Sequence, residues 1–440
     1  MAEPALNTPP GALREAHAHI PWLGRALDML SLEGCASAAE ALDRIGRRVH
    51  ALPSGAWLQA HSARTAAWQE GAWFERNALD CITGTIPTLI MSFDHHAVFA
   101  NSAALKKAGI HRGISDPAGG IIERNRESEP TGLLLESVAF STWALAPEPP
   151  ESSRPELIDR ALDHLAALGF VEVHDLFSPA WLGPTIAALN ARRDGEMRVG
   201  LYVPLEEVES AARGRASWES ERVRLLGGKI FTDGTLNSRT AWVLEPFSDA
   251  PSELAHGKPL MDARAISESI ARCRASGLGI AMHAIGDGAV RACLDGIQRW
   301  KGDQREKDHP AIRVEHCEIV DERDVPRFAE LGAIASVQPC HLLADIEALR
   351  AGLGHRLDRV MPWRELIDAG LEPGRTLLFG SDVPVVRANP QDSVRAATER
   401  RRNTLESAIA PEQAIPATLA WECFRPTTAG AAIRLPFTVE

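Results

Sequence analysis

Along the chain, short apolar runs alternate with longer stretches whose apolar residues recur at helical spacing. The runs with strand character are REAHAHI (14–20), GFVEVHDLF (169–177), MRVGLYVPL (197–205), VRLLGGKIFTDG (223–234), GLGIAMHAIG (277–286), IRVEHCEIV (312–320), GAIASVQP (332–339) and RTLLFGSDVP (375–384). PELIDRALDHLAAL precedes the second run and ARAISESIARCRAS the fifth, both with helical periodicity. Strand–helix alternation points to a parallel α/β fold, and eight strands point to a closed (β/α)8 barrel.

The spacing is uneven in one place. Residues 21–155 are too many for a crossover between the first two strands. They hold helical pieces (36–50 and 101–109) and turn-rich PAGG and APEPPESS. The expected organisation is a catalytic barrel from 13–20 and 156–430, with 21–155 an insertion over the barrel mouth. Residues 1–12 and 431–440 are terminal segments. Trp57, Trp68 and Trp73 would pack a small core within the insertion. The competing expectation is an independent domain. No internal repeat or low-complexity tract is evident.

Composition narrows the function classes. Of 440 residues, 45% are hydrophobic and 24% charged, which is ordinary for a globular protein. The net charge of -12 argues against binding nucleic acid or anionic membranes, which calls for a basic surface. Seven scattered cysteines without a C-x-x-C pair suit reduced thiols in a cytoplasm, not a disulfide framework or a cysteine zinc site. No signal peptide or membrane span is expected.

The polar residues at the strand ends carry the chemistry. His17 and His19 alternate along one strand and so share a face. Lys229 lies on the fourth strand, His283 and His316 end the fifth and sixth, and Asp382 ends the eighth. A barrel gathers all six at its C-terminal face, where barrel enzymes keep their chemistry. Imidazole and carboxylate suit zinc-like dications, and four histidines plus an aspartate exceed what one tetrahedral ion needs. A protonated lysine among cations is repulsive. Carboxylated by carbon dioxide, Lys229 becomes an anion able to bridge two metals.

EAHAHI, GGKIFTDGTLNSR, MHAIGDGAV, RVEHCEIV and FGSDVP resemble the amidohydrolase superfamily, and more closely its amidohydrolase family 3 branch, the YtcJ-like metal-dependent hydrolases. The similarity runs from about residue 13 to about 430, and includes FDHHAVFANSAALKKAGI and EPTGLLLE in the insertion. The resemblance implies a metal-dependent-hydrolase barrel with one or two divalent ions, zinc by default. It implies that His17 and His19 hold the more buried ion, that Lys229 bridges, that His283 and His316 hold the second, and that Asp382 binds metal and acts as general base. Family members usually add a small β-sandwich. Only 16 residues precede His17, so the sandwich is expected to be missing or vestigial. A partner subunit covering the barrel in its place would give a homo-oligomer.

Other residues have weaker claims. His96, in Asp94-His95-His96, is a candidate to polarise the scissile carbonyl. Asp233 and Arg239 would orient a polar group of the substrate or pair with each other. His341 lies at the seventh strand end and would line the pocket. His174-Asp175 and Asp287 would support the ligands from behind. The expected reaction is hydrolysis of a non-peptide C–N bond in a small amide-type molecule by metal-activated hydroxide. The alternatives are a mononuclear deaminase-like or other hydrolase, and a catalytically silent barrel with a binding role.

Overall fold

The computed structural model describes residues 11–426 apart from 53–54, 66–67, 94–96, 118–119, 193–196 and 303–310. The chain divides into two compact units, Met1–Pro21 with Ala161–Glu440, and Trp22–Arg160. Their strands, in chain order, are β1 (Leu13–Ala18), β2 (Leu30–Ser31), β3 (Leu58–Ala63), β4 (Thr88–Ser92), β5 (Ala97–Ala100), β6 (Gly120–Arg124), β7 (Pro130–Glu136), β8 (Phe170–Asp175), β9 (Arg198–Pro204), β10 (Val223–Phe231), β11 (Gly279–Ala284), β12 (Ile312–His316), β13 (Ile334–Val337) and β14 (Leu377–Phe379).

The first unit is a parallel α/β barrel. Its eight strands run in the order β1-β8-β9-β10-β11-β12-β13-β14, every pair parallel. Helices such as Ala263–Ala275 and Asp287–Gly302 connect successive parallel strands. Close approach of neighbouring strands sets one glycine. A Cβ on Gly227 would lie 2.5 Å from the Gly279 carbonyl oxygen, so only glycine fits there.

Each barrel strand is shorter than its apolar run, and two show why. The fourth stops at Phe231, because Asp233 turns away to accept backbone N–H groups of Trp242, Ile285 and Gly286 (2.8–3.1 Å). The eighth covers only Leu377–Phe379. Beyond it the chain bends onto β1: the Asp382 N–H donates to the His17 carbonyl (2.7 Å), and the His19 N–H donates to the Val383 carbonyl (2.9 Å). These two bonds close the barrel seam.

The second unit has its own six-stranded mixed sheet, β2-β3-β4-β5-β7-β6. Alternation along its strands sends side chains to two cores. Ile90 and Phe99 join Trp68 and Phe74 on one face; Leu89, Met91 and Val98 join Leu105 and Leu134 on the other. Trp73 stacks on Phe99 (5.2 Å between centroids), whereas Trp57 packs against the second core. The expected helices are present as Ala38–Val49, capped by the Ser37 side chain, and Ser102–Ala108, capped by Asn101.

Candidate metal centre

β1 carries Glu15 and His17, and His19 follows directly after it. The Nε2 atoms of His17 and His19 lie 3.4 and 2.9 Å from the same oxygen, Asp382 Oδ1. Asp382 reaches this position through a left-handed backbone (φ +62°), unusual for a residue with a Cβ. Glu15 fastens the bend. One of its oxygens accepts the N–H groups of His17 (3.0 Å) and Ser381 (2.9 Å), and the other accepts the Ser381 hydroxyl (2.9 Å). Burial pushes the Glu15 carboxyl up to about 7, although these hydrogen bonds favour its anion.

β12 contributes two consecutive residues. On a regular strand Glu315 and His316 would face opposite ways. His316 has φ +71° and Cys317 φ +48°, which breaks the alternation. Glu315 Oε2 therefore lies 2.8 Å from His17 Nδ1, while the His316 ring sits 4.9 Å from the His17 ring. The Glu315 carboxyl lies well below its usual range: burial alone would raise it, but Arg313 and His17 overcome that. Arg313 grips it at 2.8 and 3.1 Å, and also reaches His174 Nδ1 (2.8 Å), the Ala16 carbonyl (2.7 Å) and Ser336 (2.8 Å). His174 passes the chain on to Glu172 (3.1 Å), which meets Arg198 (2.7 Å). An ionic network thus occupies an interior that barrels commonly fill with branched aliphatics.

This network determines what His17 can do. An ionised carboxylate only accepts, so His17 Nδ1 donates to Glu315 and Nε2 keeps its lone pair. That lone pair faces Asp382 Oδ1, itself an anion: burial would raise its carboxyl, but it lies well below its usual range, with the hydrogen bond from His19 opposing burial. A lone pair against a carboxylate oxygen is repulsive unless a cation lies between them. The donor set fits a divalent metal ion, and His17, His19 and Asp382 are the residues that would hold it.

The remaining expected ligands gather nearby. Burial lowers the His17 ring to about 4 and the His283 ring to about 3, and puts His316 well below its ordinary value, so all three are neutral, the form that binds metals. His283 Nε2 donates to the Gly234 carbonyl (3.0 Å), leaving Nδ1 as its free lone pair, and its ring is 4.4 Å from that of His316. Lys229 is buried on β10, and burial lowers its ammonium to about 8. A neutral amine is what carboxylation requires.

A second group was not foreseen. His316, Glu318 and His341 offer ligand atoms within 4.8 Å of one another. His316 Nδ1, Glu318 Oε2 and His341 Nε2 are each buried without a hydrogen-bond partner. His341 Nδ1 meets Glu318 Oε1 at 3.1 Å, and Nε2 lies 4.0 Å from Asp382 Oδ2. Burial would lower the His341 ring, but Glu318 raises it to about 9.

Other expectations fall elsewhere. Asp233 and Arg239 do not pair. Asp233 holds the three backbone N–H groups already named. Arg239 clasps Asp249 through two bonds (2.7 and 2.5 Å) and also reaches the Leu236 carbonyl (2.6 Å). Asp287 binds the Leu244 N–H and Arg356 rather than an imidazole. His96 lies outside the described residues. Arg313, Glu315 and Glu318 were missed, although charged residues inside an apolar run such as IRVEHCEIV are themselves a signal.

A model described as an amidohydrolase family matches residues 10–434. The chain belongs to the amidohydrolase family. This amidohydrolase is 29% identical to Protein LONG AFTER FAR-RED 3 of Arabidopsis thaliana, over 92% of its own length and 71% of that protein. It is 27% identical to Putative amidohydrolase YtcJ of Bacillus subtilis, over 88% and 72% of the two chains. With N-substituted formamide deformylase of Arthrobacter pascens the identity is 25%, over 92% and 75%. Its fold is that of an uncharacterised metal-dependent hydrolase from Pyrococcus horikoshii (TM-score 0.71, 24% identity, 93% and 78% of the two chains). Family membership supports a hydrolase that works with a divalent metal. Among the described residues, no helix is long and apolar enough to cross a membrane.

Proposed function

We propose that this amidohydrolase cleaves a non-peptide carbon–nitrogen bond of amide type in a small molecule, with a divalent ion held by His17, His19 and Asp382. The observation that carries the reading is the meeting of two imidazole nitrogens and Asp382 Oδ1, with the His17 tautomer set by Glu315. The C–N bond is favoured by the relative named as a formamide deformylase. An ion bound there, zinc by the chemistry of its donors, supplies an acidified water and a Lewis acid. Asp382, kept anionic, takes the proton of the attacking water and delivers it to the leaving nitrogen. His96 is assigned to the substrate carbonyl on the resemblance alone. Asp233 and Arg239 shape the loop after β10. In the dinuclear form of this reading, carboxylated Lys229 would bridge to a second ion that His283 and His316 would hold.

A second arrangement is favoured by the three unpartnered atoms of His316, Glu318 and His341. They would hold the second ion, with Asp382 facing it through Oδ2 and Lys229 remaining an amine. Metal content per chain, measured on wild type, Lys229→Ala and Glu318→Gln, separates the two. Two ions, one of them lost only in Lys229→Ala, support the carbamate bridge. One lost only in Glu318→Gln supports the second arrangement. A single ion indifferent to both indicates a mononuclear hydrolase. No ion, even with added zinc and bicarbonate, overturns the reading. Asp382→Asn should lower turnover about 10²- to 10⁴-fold.

A further inference from the structure

Two phenylalanines stand open beside these ligands. Phe231 is 41% exposed and Phe177 38%, and their rings meet edge to face at 5.6 Å and 71°. Phe231 ends β10, two residues after Lys229. Strand alternation puts it on the same face as Lys229, one step nearer the C-terminal mouth. Its register partner on β11 is His283, and the two rings are 5.3 Å apart. Phe177 follows β8 by two residues, near the same end of the barrel. Single exposed apolar side chains are ordinary on a protein surface. An exposed pair that touches an expected metal ligand is not, because water there is displaced only when a ligand enters.

The pair also has a chemical preference. Arg239, the cation expected to orient a polar group of the substrate, is committed to Asp249. Phenylalanine offers no hydrogen bond, so what rests on it is apolar, and Lys229 Nζ, 5.3 Å from the Phe231 ring centre, disfavours a second cation there. A third ring added to an edge-to-face pair at such spacing gains about 2- to 12-fold in affinity beyond its area.

We infer that Phe177 and Phe231 form an aromatic subsite that takes a neutral aryl or arylalkyl group of the substrate, next to the reacting bond. The inference rests on the hydrolase reading for what lies beside the subsite, and names the class of amide that the centre handles.

The test uses two pairs of neutral probes on the metal-loaded full chain. Phenylacetamide is set against butyramide, and N-benzylacetamide against N-butylacetamide, with dissociation constants from ligand-observed NMR. The aryl member of at least one pair should bind about 10-fold more tightly than its alkyl counterpart. Phe231→Ala and Phe177→Ala should each cut that ratio below about 3, with Phe231→Leu between them and wild type. Metal content and melting temperature of each variant verify that it is folded. Equal affinities within both pairs, no binding of any probe, or a ratio that survives both alanine substitutions overturns the subsite. Absence of metal in wild type overturns the hydrolase reading instead, while the ring preference is still scored.

Discussion

Replacing Glu315 by glutamine tests the buried network most directly. Glu315 orients His17 from one side and balances the guanidinium of Arg313 on the other, with both carboxylate oxygens engaged. Glutamine keeps one acceptor oxygen but turns an N–H₂ group toward donors. Loss of the partner behind a metal-binding histidine typically weakens metal affinity 10- to 100-fold, or about 1.4–2.7 kcal/mol. Leaving Arg313 buried opposite a neutral amide costs a further ~3–5 kcal/mol of folding stability. The assays are zinc competition against a chromophoric chelator and thermal melting of the metal-free protein. Glu315→Gln should fail in both. The double variant Arg313→Met with Glu315→Met, which removes both charges, should recover much of the melting temperature but none of the metal affinity. pH gives an independent handle. The folded carboxyl lies below its unfolded value, so its stabilisation is present above about pH 4.3 and fades as pH falls through the folded value. Wild type and Glu315→Gln should therefore converge in acid. A Glu315→Gln protein that binds zinc within about 3-fold of wild type would refute the argument that Glu315 sets the His17 tautomer.

Two further outcomes are expected. The folded Glu15 carboxyl is raised to about 7 from an ordinary value near 4.5, so its contribution is present below the unfolded value and lost as pH rises through 7, by at most ~3 kcal/mol. Glu15→Gln should flatten the denaturant midpoint between pH 5 and 8, and an unchanged slope would count against it. Gly227→Ala places a methyl 2.5 Å from the Gly279 carbonyl oxygen and should cost about 1–3 kcal/mol in urea unfolding, with wild-type stability as the contrary result.

The barrel was legible because eight apolar runs recur with helices between them. His17 and His19 were legible because a two-residue period puts both on one face. Alternation fails where the backbone leaves the strand. At His316 and Asp382, positive φ brings side chains into the centre by a route that no periodicity encodes, so Glu315 beside His316 was overlooked. The pairing of Glu318 with His341 joins the ends of different strands, and the clasp of Arg239 on Asp249 depends on how a loop folds back. The six-stranded sheet within 22–160 escaped notice for another reason. Its central strands β4 and β5 are buried almost throughout and lack the apolar–polar alternation that betrays a half-buried sheet, while β3, β6 and β7 alternate only over short runs.

The seam between β1 and the bend after β14 has a consequence for how the protein is made. Glu15 and Ser381 touch across 366 residues of chain, and the same seam brings Asp382 to His17 and His19. During synthesis at roughly 5–20 residues per second, the two histidines leave the ribosome about 20–70 seconds before the aspartate that completes their site. For that interval a nascent chain offers metal only an open pair of imidazoles. On the proposed metal reading, the centre is complete only after the eighth strand has docked, which would make barrel closure the gate for metal acquisition.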